Sequence, residues 1–232
     1  MLDSHKKFTL AVLGVFALAF VMRLGFASAF VGLDAPPDAS ANPDQLDFEA
    51  IAWEVAQGHG FVIEPGQPTA RRAVGAVATM VPPYLVTDRS YAAGRVWLVL
   101  LSSATCVFCV WIGTLAFGRG VGLLAGLGLA LYPGHMYYAM HFVSETPFTF
   151  WLALGTGATL HGLKREWRWR HALAGGAWAG AILAKPQFVL MVPVLAMIVP
   201  MVMLGGRLPC LPGDQVHATL GATTRLVLDN FR

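Results

Sequence analysis

The chain has 232 residues, of which 56% are apolar and only 12% charged, where a soluble chain averages roughly 25% charged. With a mean hydropathy of +0.60, this composition excludes a disordered chain and argues for a protein of the bilayer rather than a soluble enzyme. Three cysteines exclude a disulfide scaffold and leave no metal-thiolate set, and a net charge of +3, scattered along the chain, excludes a nucleic-acid footprint.

The first apolar stretch runs from about Phe8 to Gly32 and contains one charge, Arg23. It reads as an uncleaved anchor. Ala27-Ser28-Ala29 has the small residues of a signal cleavage site, but the stretch exceeds the usual ~7–15-residue core. Arg23 is expected to snorkel to the interface at the outer end. Further stretches cover Tyr91–Gly118, Val121–Tyr132 and Pro147–Leu163. A last block, Ala172–Leu204, is 33 residues long and interrupted only by Lys185. Spanning takes about 20 residues, so this block predicts two short helices meeting at Lys185-Pro186, where proline breaks the hydrogen-bond ladder.

Six helices place the basic residues on one side. His5-Lys6-Lys7, Arg119, the cluster Lys164, Arg165, Arg168 and Arg170, and Arg207 all become cytoplasmic. The expected architecture is an all-α integral membrane protein with a cytoplasmic N-terminus. Residues 1–206 form its membrane domain and 207–232 a polar tail. The 33–90 loop, the 133–146 loop and the Lys185 turn then lie outside.

The outer loop is acidic: eight of the thirteen Asp and Glu residues lie between Asp34 and Asp88. Pro36, Pro37 and Pro43 hold its start out of a helix. From Asp44, Leu46, Ile51 and Val55 recur at helical spacing, as do Phe48, Ala52 and Ala56. They predict an amphipathic helix over about 44–57 lying on the membrane surface, ended by Gly58 and Gly60. Asp44, Asp47 and Glu54 fall near one face of it. Spacing alone reads them as cap and solvent-face acids.

The run Asp44-Gln45-Leu46-Asp47-Phe48-Glu49-Ala50-Ile51-Ala52, closing in Gly58-His59-Gly60-Phe61, resembles the first outer loop of GT-C membrane glycosyltransferases. The nearest group is the protein mannosyltransferases (glycosyltransferase family 39) with the lipid A aminoarabinose transferases. Pro68-Thr69-Ala70-Arg71-Arg72, Leu131-Tyr132-Pro133, Val143-Ser144-Glu145-Thr146 and Leu183-Ala184-Lys185-Pro186-Gln187 resemble later elements in the same order. Residues 73–77 read Ala-Val-Gly-Ala-Val where that group has Pro-Pro-Gly-Tyr-Pro. The resemblance covers about residues 8–200 and implies that the chain corresponds to the N-terminal part of such an enzyme.

What the resemblance implies is transfer of a sugar from a polyprenyl-phosphate donor to a lipid, glycan or protein acceptor, at the outer face of a bacterial inner membrane. Asp44 would be the base, with Asp47 as the alternative. Glu145 would orient the acceptor or, with Asp44, hold a divalent metal ion. Lys185, Arg71 and Arg72 would bind the departing phosphate. By ordinary helix-start rules, Glu145 is equally an N-terminal acid after Ser144, and the two arginines are solvated loop charges.

Lesser signals have structural readings. Cys106-Val107-Phe108-Cys109 lies mid-helix in an apolar segment and reads as buried packing. Gly118, Gly122 and Gly126, with Gly176 and Gly180, read as close helix contacts. Trp167 and Trp169 read as an interfacial belt, and His135 and His141 as surface histidines. A second function, a catalytically silent relative that holds a lipid carrier or a membrane partner subunit, stays open. A transporter is disfavoured, since the helix interiors carry no paired charges.

Overall fold

The structure is a computed structural model that describes residues 2–64, 66–164 and 169–191; the elements below build the compact unit Met1–Phe188. Among the described residues the chain is all-α. Eight helices run α1 (Leu2–Phe30), α2 (Asp44–Ala56), α3 (Val74–Met80), α4 (Tyr91–Phe117), α5 (Arg119–Leu131), α6 (Pro133–Ala139), α7 (Glu145–Lys164) and α8 (Arg170–Ala184). Short 3₁₀ turns occupy Pro82–Leu85 and Pro186–Leu190. The expected second half of the last apolar block, the 207–232 tail, and Arg165, Trp167, Arg168 and Arg207 lie outside the described residues.

Two helices, Ser4–Phe30 and Tyr91–Phe117, are long and apolar enough to cross a bilayer. The helices Arg119–Leu131 and His171–Ala184 are apolar but shorter than the roughly 20 residues a straight crossing takes.

The boundaries follow local chemistry. The Ser90 hydroxyl accepts from the Ala93 N–H at 3.2 Å and caps α4. Gly118, at φ +100°, makes the sharp turn into α5. α8 stops at Lys185, whose extended backbone (φ −138°, ψ 91°) is what a following proline imposes.

α4 is the central helix, with α1, α5 and α7 packed on it; α8 packs along α7. Small residues permit the closest approaches. A Cβ on Gly122 would run into Thr114 of α4, and one on Gly126 into Val110. Gly180 lies on the Trp151 ring. Gly118 and Gly176, also expected at contacts, have nothing near their Cβ positions.

One apolar cluster joins α2, α3, α4 and the 139–148 region through Phe48, Ile51, Ala52, Met80, Tyr84, Leu98 and Phe142. Burying each larger side chain stabilises by about 1.5–3 kcal/mol. This corrects the surface-helix expectation. α2 packs its apolar face into protein: Phe48, Ile51 and Ala52 are buried, with Gln45 and Glu49 beside them, while Leu46 points outward. The 73–77 segment forms most of α3. Its Gly75 meets α8 so closely that a Cβ would sit 2.6 Å from the Leu183 carbonyl carbon.

Arg23 is the second correction. It does not snorkel but is 1% exposed. Its Nε donates to Ser102 Oγ (2.7 Å), Nη1 to the carbonyls of Ala19 (3.1 Å) and Ala130 (3.0 Å), and Nη2 to Leu129 O (3.1 Å), His135 Nδ1 (3.0 Å) and Cys106 Sγ (3.4 Å). No carboxylate is among these partners. Two of the carbonyls end α5, where orphan acceptors and the negative end of the helix dipole suit a cation. The guanidinium thereby ties α1, α4, α5 and α6 together. Cys106 is buried here and Cys109 half-buried; both are free thiols.

His135 and His141 are likewise not surface residues, at 9% and 3% exposure. On α6 His135 turns toward Arg23 and Ser102, and just beyond the helix His141 turns toward the Tyr137 carbonyl.

Candidate functional site

The first charged cluster forms where the 33–90 loop doubles back. Asn42 Oδ1 accepts from the Asp44 N–H at 3.1 Å at the start of α2. After the helix, Gly58 and Gly60 take φ +82°, a conformation glycine adopts freely, and reverse the chain. The Thr69 N–H then donates to Phe61 O (2.9 Å) and Val62 pairs with Pro68. This clasp returns Arg71 and Arg72 to the first turn of α2.

There Arg72 holds both candidate bases. Its Nη2 lies 2.9 Å from Asp44 Oδ1 and 2.8 Å from Asp47 Oδ2, and its Nε donates to Asp47 Oδ2 at 3.0 Å. The guanidinium sits 5.4 Å from the centroid of the Phe48 ring. Arg71 reaches Asp47 Oδ2 at 3.6 Å and is 67% exposed. The two acids differ in access: the Asp47 side chain is 16% exposed and that of Asp44 54%. Glu54, expected on the same face, pairs instead with His59 at 2.6 Å.

The second cluster joins α7 and α8. Lys185 Nζ meets Glu145 Oε1 at 2.7 Å, with both side chains about a quarter to a third exposed, and lies 5.7 Å from the Phe148 ring centroid. The Ser144 hydroxyl points at the Glu145 carboxylate (3.5 Å). All six candidate residues therefore fall into two ion-paired groups. Both groups rest on one apolar cluster, Arg72 over Phe48, a member of it, and Lys185 over Phe148, which packs against it.

Neither candidate metal ligand is arranged for a metal. Asp44 Oδ1 is held by Arg72 and Glu145 Oε1 by Lys185. Among the described residues no group of three or more His, Cys, Asp or Glu is placed to hold an ion.

Two neighbouring features were missed from the sequence. Glu49 is 2% exposed and is gripped from both sides by Arg89, Nε to Oε1 at 3.0 Å and Nη2 to Oε2 at 2.6 Å. The side-chain hydrogen bond that Arg89 donates to Glu49, more than any other influence, holds the Arg89 proton more tightly than usual. Burial, then the Glu49 carboxylate, pushes the Tyr84 phenol above its ordinary range. The signal was available, since Glu49 lies four residues after Gln45 and three before Ala52, on the apolar face. The other is Arg95, fully buried, with Nη1 donating to Leu33 O (2.7 Å) and Ala35 O (2.5 Å) and Nε to Met140 O (3.3 Å). It anchors the start of the 33–90 loop to α4.

Comparison of the chain with protein-family models, curated proteins and solved structures returned no match.

Proposed function

We propose that the chain is a multi-pass membrane glycosyltransferase of GT-C type that moves a sugar from a polyprenyl-phosphate donor to an acceptor hydroxyl or amine. In this reading, six crossings place the acidic loop and the Lys185 turn on the outer face of the bacterial inner membrane. The observation that carries the proposal is the pairing just described. Carboxylates and cations far apart in sequence converge on one apolar cluster, as a reaction between a lipid-borne phosphate and a nucleophile requires.

The roles follow from access. Asp44 is the base, because its Oδ2 has no partner among the described residues while Arg72 fixes its Oδ1. Asp47 is the anchor that holds Arg72 in place. As the acceptor attacks the anomeric carbon, its proton passes to Asp44. The bond from that carbon to the phosphate oxygen breaks, and the electron pair leaves with the phosphate. Lys185 exchanges Glu145 for this phosphate, with Arg71 as the second, more exposed cation.

One observation favours the second reading, a silent relative that retains a lipid carrier or a partner subunit: every candidate carboxylate already faces a cation. Purified protein in lipid, offered a panel of radiolabelled polyprenyl-phosphate sugars, separates the two. Transfer by the wild type that disappears in Asp44→Asn, with donor still retained, supports the enzyme. Retention without transfer in both proteins supports the silent carrier. Absence of retention in a folded protein overturns both.

A further inference from the structure

The end of the helix bundle that begins at Ser4 takes no part in the reaction described above. His5, Lys6 and Lys7 are exposed on the first turns of α1. Arg119 opens α5 beside them and is exposed too. Its Nη1 donates to Ser4 Oγ at 3.2 Å, its Nη2 lies 3.2 Å from His5 Nδ1, and the guanidinium sits 5.0 Å from the centroid of the Phe8 ring. Its partners among the described residues are therefore a hydroxyl, an imidazole and an aromatic face. A guanidinium carries five N–H donors, and those not spent on Ser4 and His5 have no partner among the described residues. Lys164, exposed at the end of α7, donates to the Leu115 carbonyl in the last turn of α4, which Gly118 joins to Arg119. Cations from α1, α5 and α7 thus meet at one end of the bundle. The acids nearest to them in sequence are Asp3 and Glu166, outnumbered by Lys6, Lys7, Arg119, Lys164 and Arg165.

Along the same helices the surface turns apolar. Leu10 and Leu13 follow Lys6 at helical spacing on its own face of α1, and both are exposed, as are Phe117, Val121 and Leu124. Cations bordering exposed hydrocarbon match an amphiphile whose negative charge sits where its chains begin. A soluble polyanion would leave the apolar flank in water. A zwitterionic lipid brings its own ammonium, which offsets its phosphate and gains little here.

We infer that this end of the bundle binds an anionic phospholipid, its phosphate held by Arg119 and Lys6 and its acyl chains lying along the flank of α1 and α5. The inference rests on the chain spanning a bilayer, as in the proposed topology, and not on Asp44 acting as a base.

The test places the full chain in nanodiscs of equal phosphatidylcholine and phosphatidylglycerol, and counts by native mass spectrometry the lipids still attached after transfer to detergent. Phosphatidylglycerol should be retained about tenfold over phosphatidylcholine, the factor that one or two basic side chains supply at a membrane surface. Arg119→Gln should lower that preference to about twofold. Should it fail to fold, Lys6→Gln serves in its place. Arg71→Gln removes the same charge from the 33–90 loop and should leave the preference intact. Asp44→Asn should leave it intact as well, so that lost transfer and lost lipid binding are told apart. Excess inorganic phosphate, which brings no chains, should not displace the lipid. Equal retention of the two lipids, a preference that survives Arg119→Gln and Lys6→Gln together, an equal loss in Arg71→Gln, or displacement by phosphate would overturn the inference. A chain that stays out of the nanodiscs would overturn the topology with it.

Discussion

Arg23 and Arg72 are the same side chain in opposite circumstances. Arg23 is buried against carbonyls, a hydroxyl, a thiol and a neutral imidazole, with no anion in contact. Arg72 lies near the surface between two aspartates. The first spreads one charge over dipoles that belong to four helices, so removing it unpairs many groups at once. The second neutralises charge with charge, in a geometry that solvent or an incoming anion can replace.

The largest expected effect is therefore on the Arg23 side. Arg23→Met leaves the α5 carbonyls, Ser102 and His135 short of donors, and should lower stability by about 3 kcal/mol, read as a drop in the thermal midpoint in detergent. A change under about 1 kcal/mol would mean that the network is decoration.

Next comes Glu49→Gln, which removes the buried half of the pair with Arg89 and should cost about 1.5–3 kcal/mol. Arg89→Gln provides the comparison. If both losses are near zero, the pair is a surface one in energetic terms.

The Arg23 network also sets a pH dependence. Burial, then the Arg23 guanidinium, holds the His135 imidazole down to about 4 from its ordinary 6.5. The unfolded chain therefore binds the extra proton first as pH falls. Stability is full above about 6.5 and declines between 6.5 and 4, by about 2 kcal/mol at pH 5. Midpoints measured from pH 8 to 4.5 should show this slope, and His135→Gln should flatten it.

The smallest stability effect is expected at Arg72. Arg72→Gln should change stability by about 1 kcal/mol or less, yet it should impair transfer because Asp44 loses its fixed position. Lys185→Arg should retain donor binding and Lys185→Gln should weaken it, as scintillation counting of retained donor would show. If Arg72→Gln instead unfolds the protein, the division between the two arginines fails.

Much of the outer loop was legible. The prolines before Asp44, the glycines after Gln57 and the 3.6-residue recurrence of apolar side chains place α2 at 44–56, because capping and periodicity are local. Which face was buried was less so. Leu46 was expected on the apolar face and is exposed, and the burial of Glu49 went unread, because the Arg89 guanidinium that makes it tolerable arrives from forty residues away. His135 on α6 escaped for the same reason: its partners, Arg23 and Ser102, stand on α1 and α4.

By itself the sequence determined α2 and the long apolar helices, the breaks near Gly118 and Lys185-Pro186, and which residues carry charge; α3 and α6 lie where it read loops. The features it determined depend on backbone sterics and on neighbours within a turn. Only the tertiary structure decided that Arg23 turns inward, that Arg72 joins Asp44 to Asp47, and that Lys185 meets Glu145. Each of these depends on which distant groups fill the space around a charge, and burial fixes that choice only once the helices have packed.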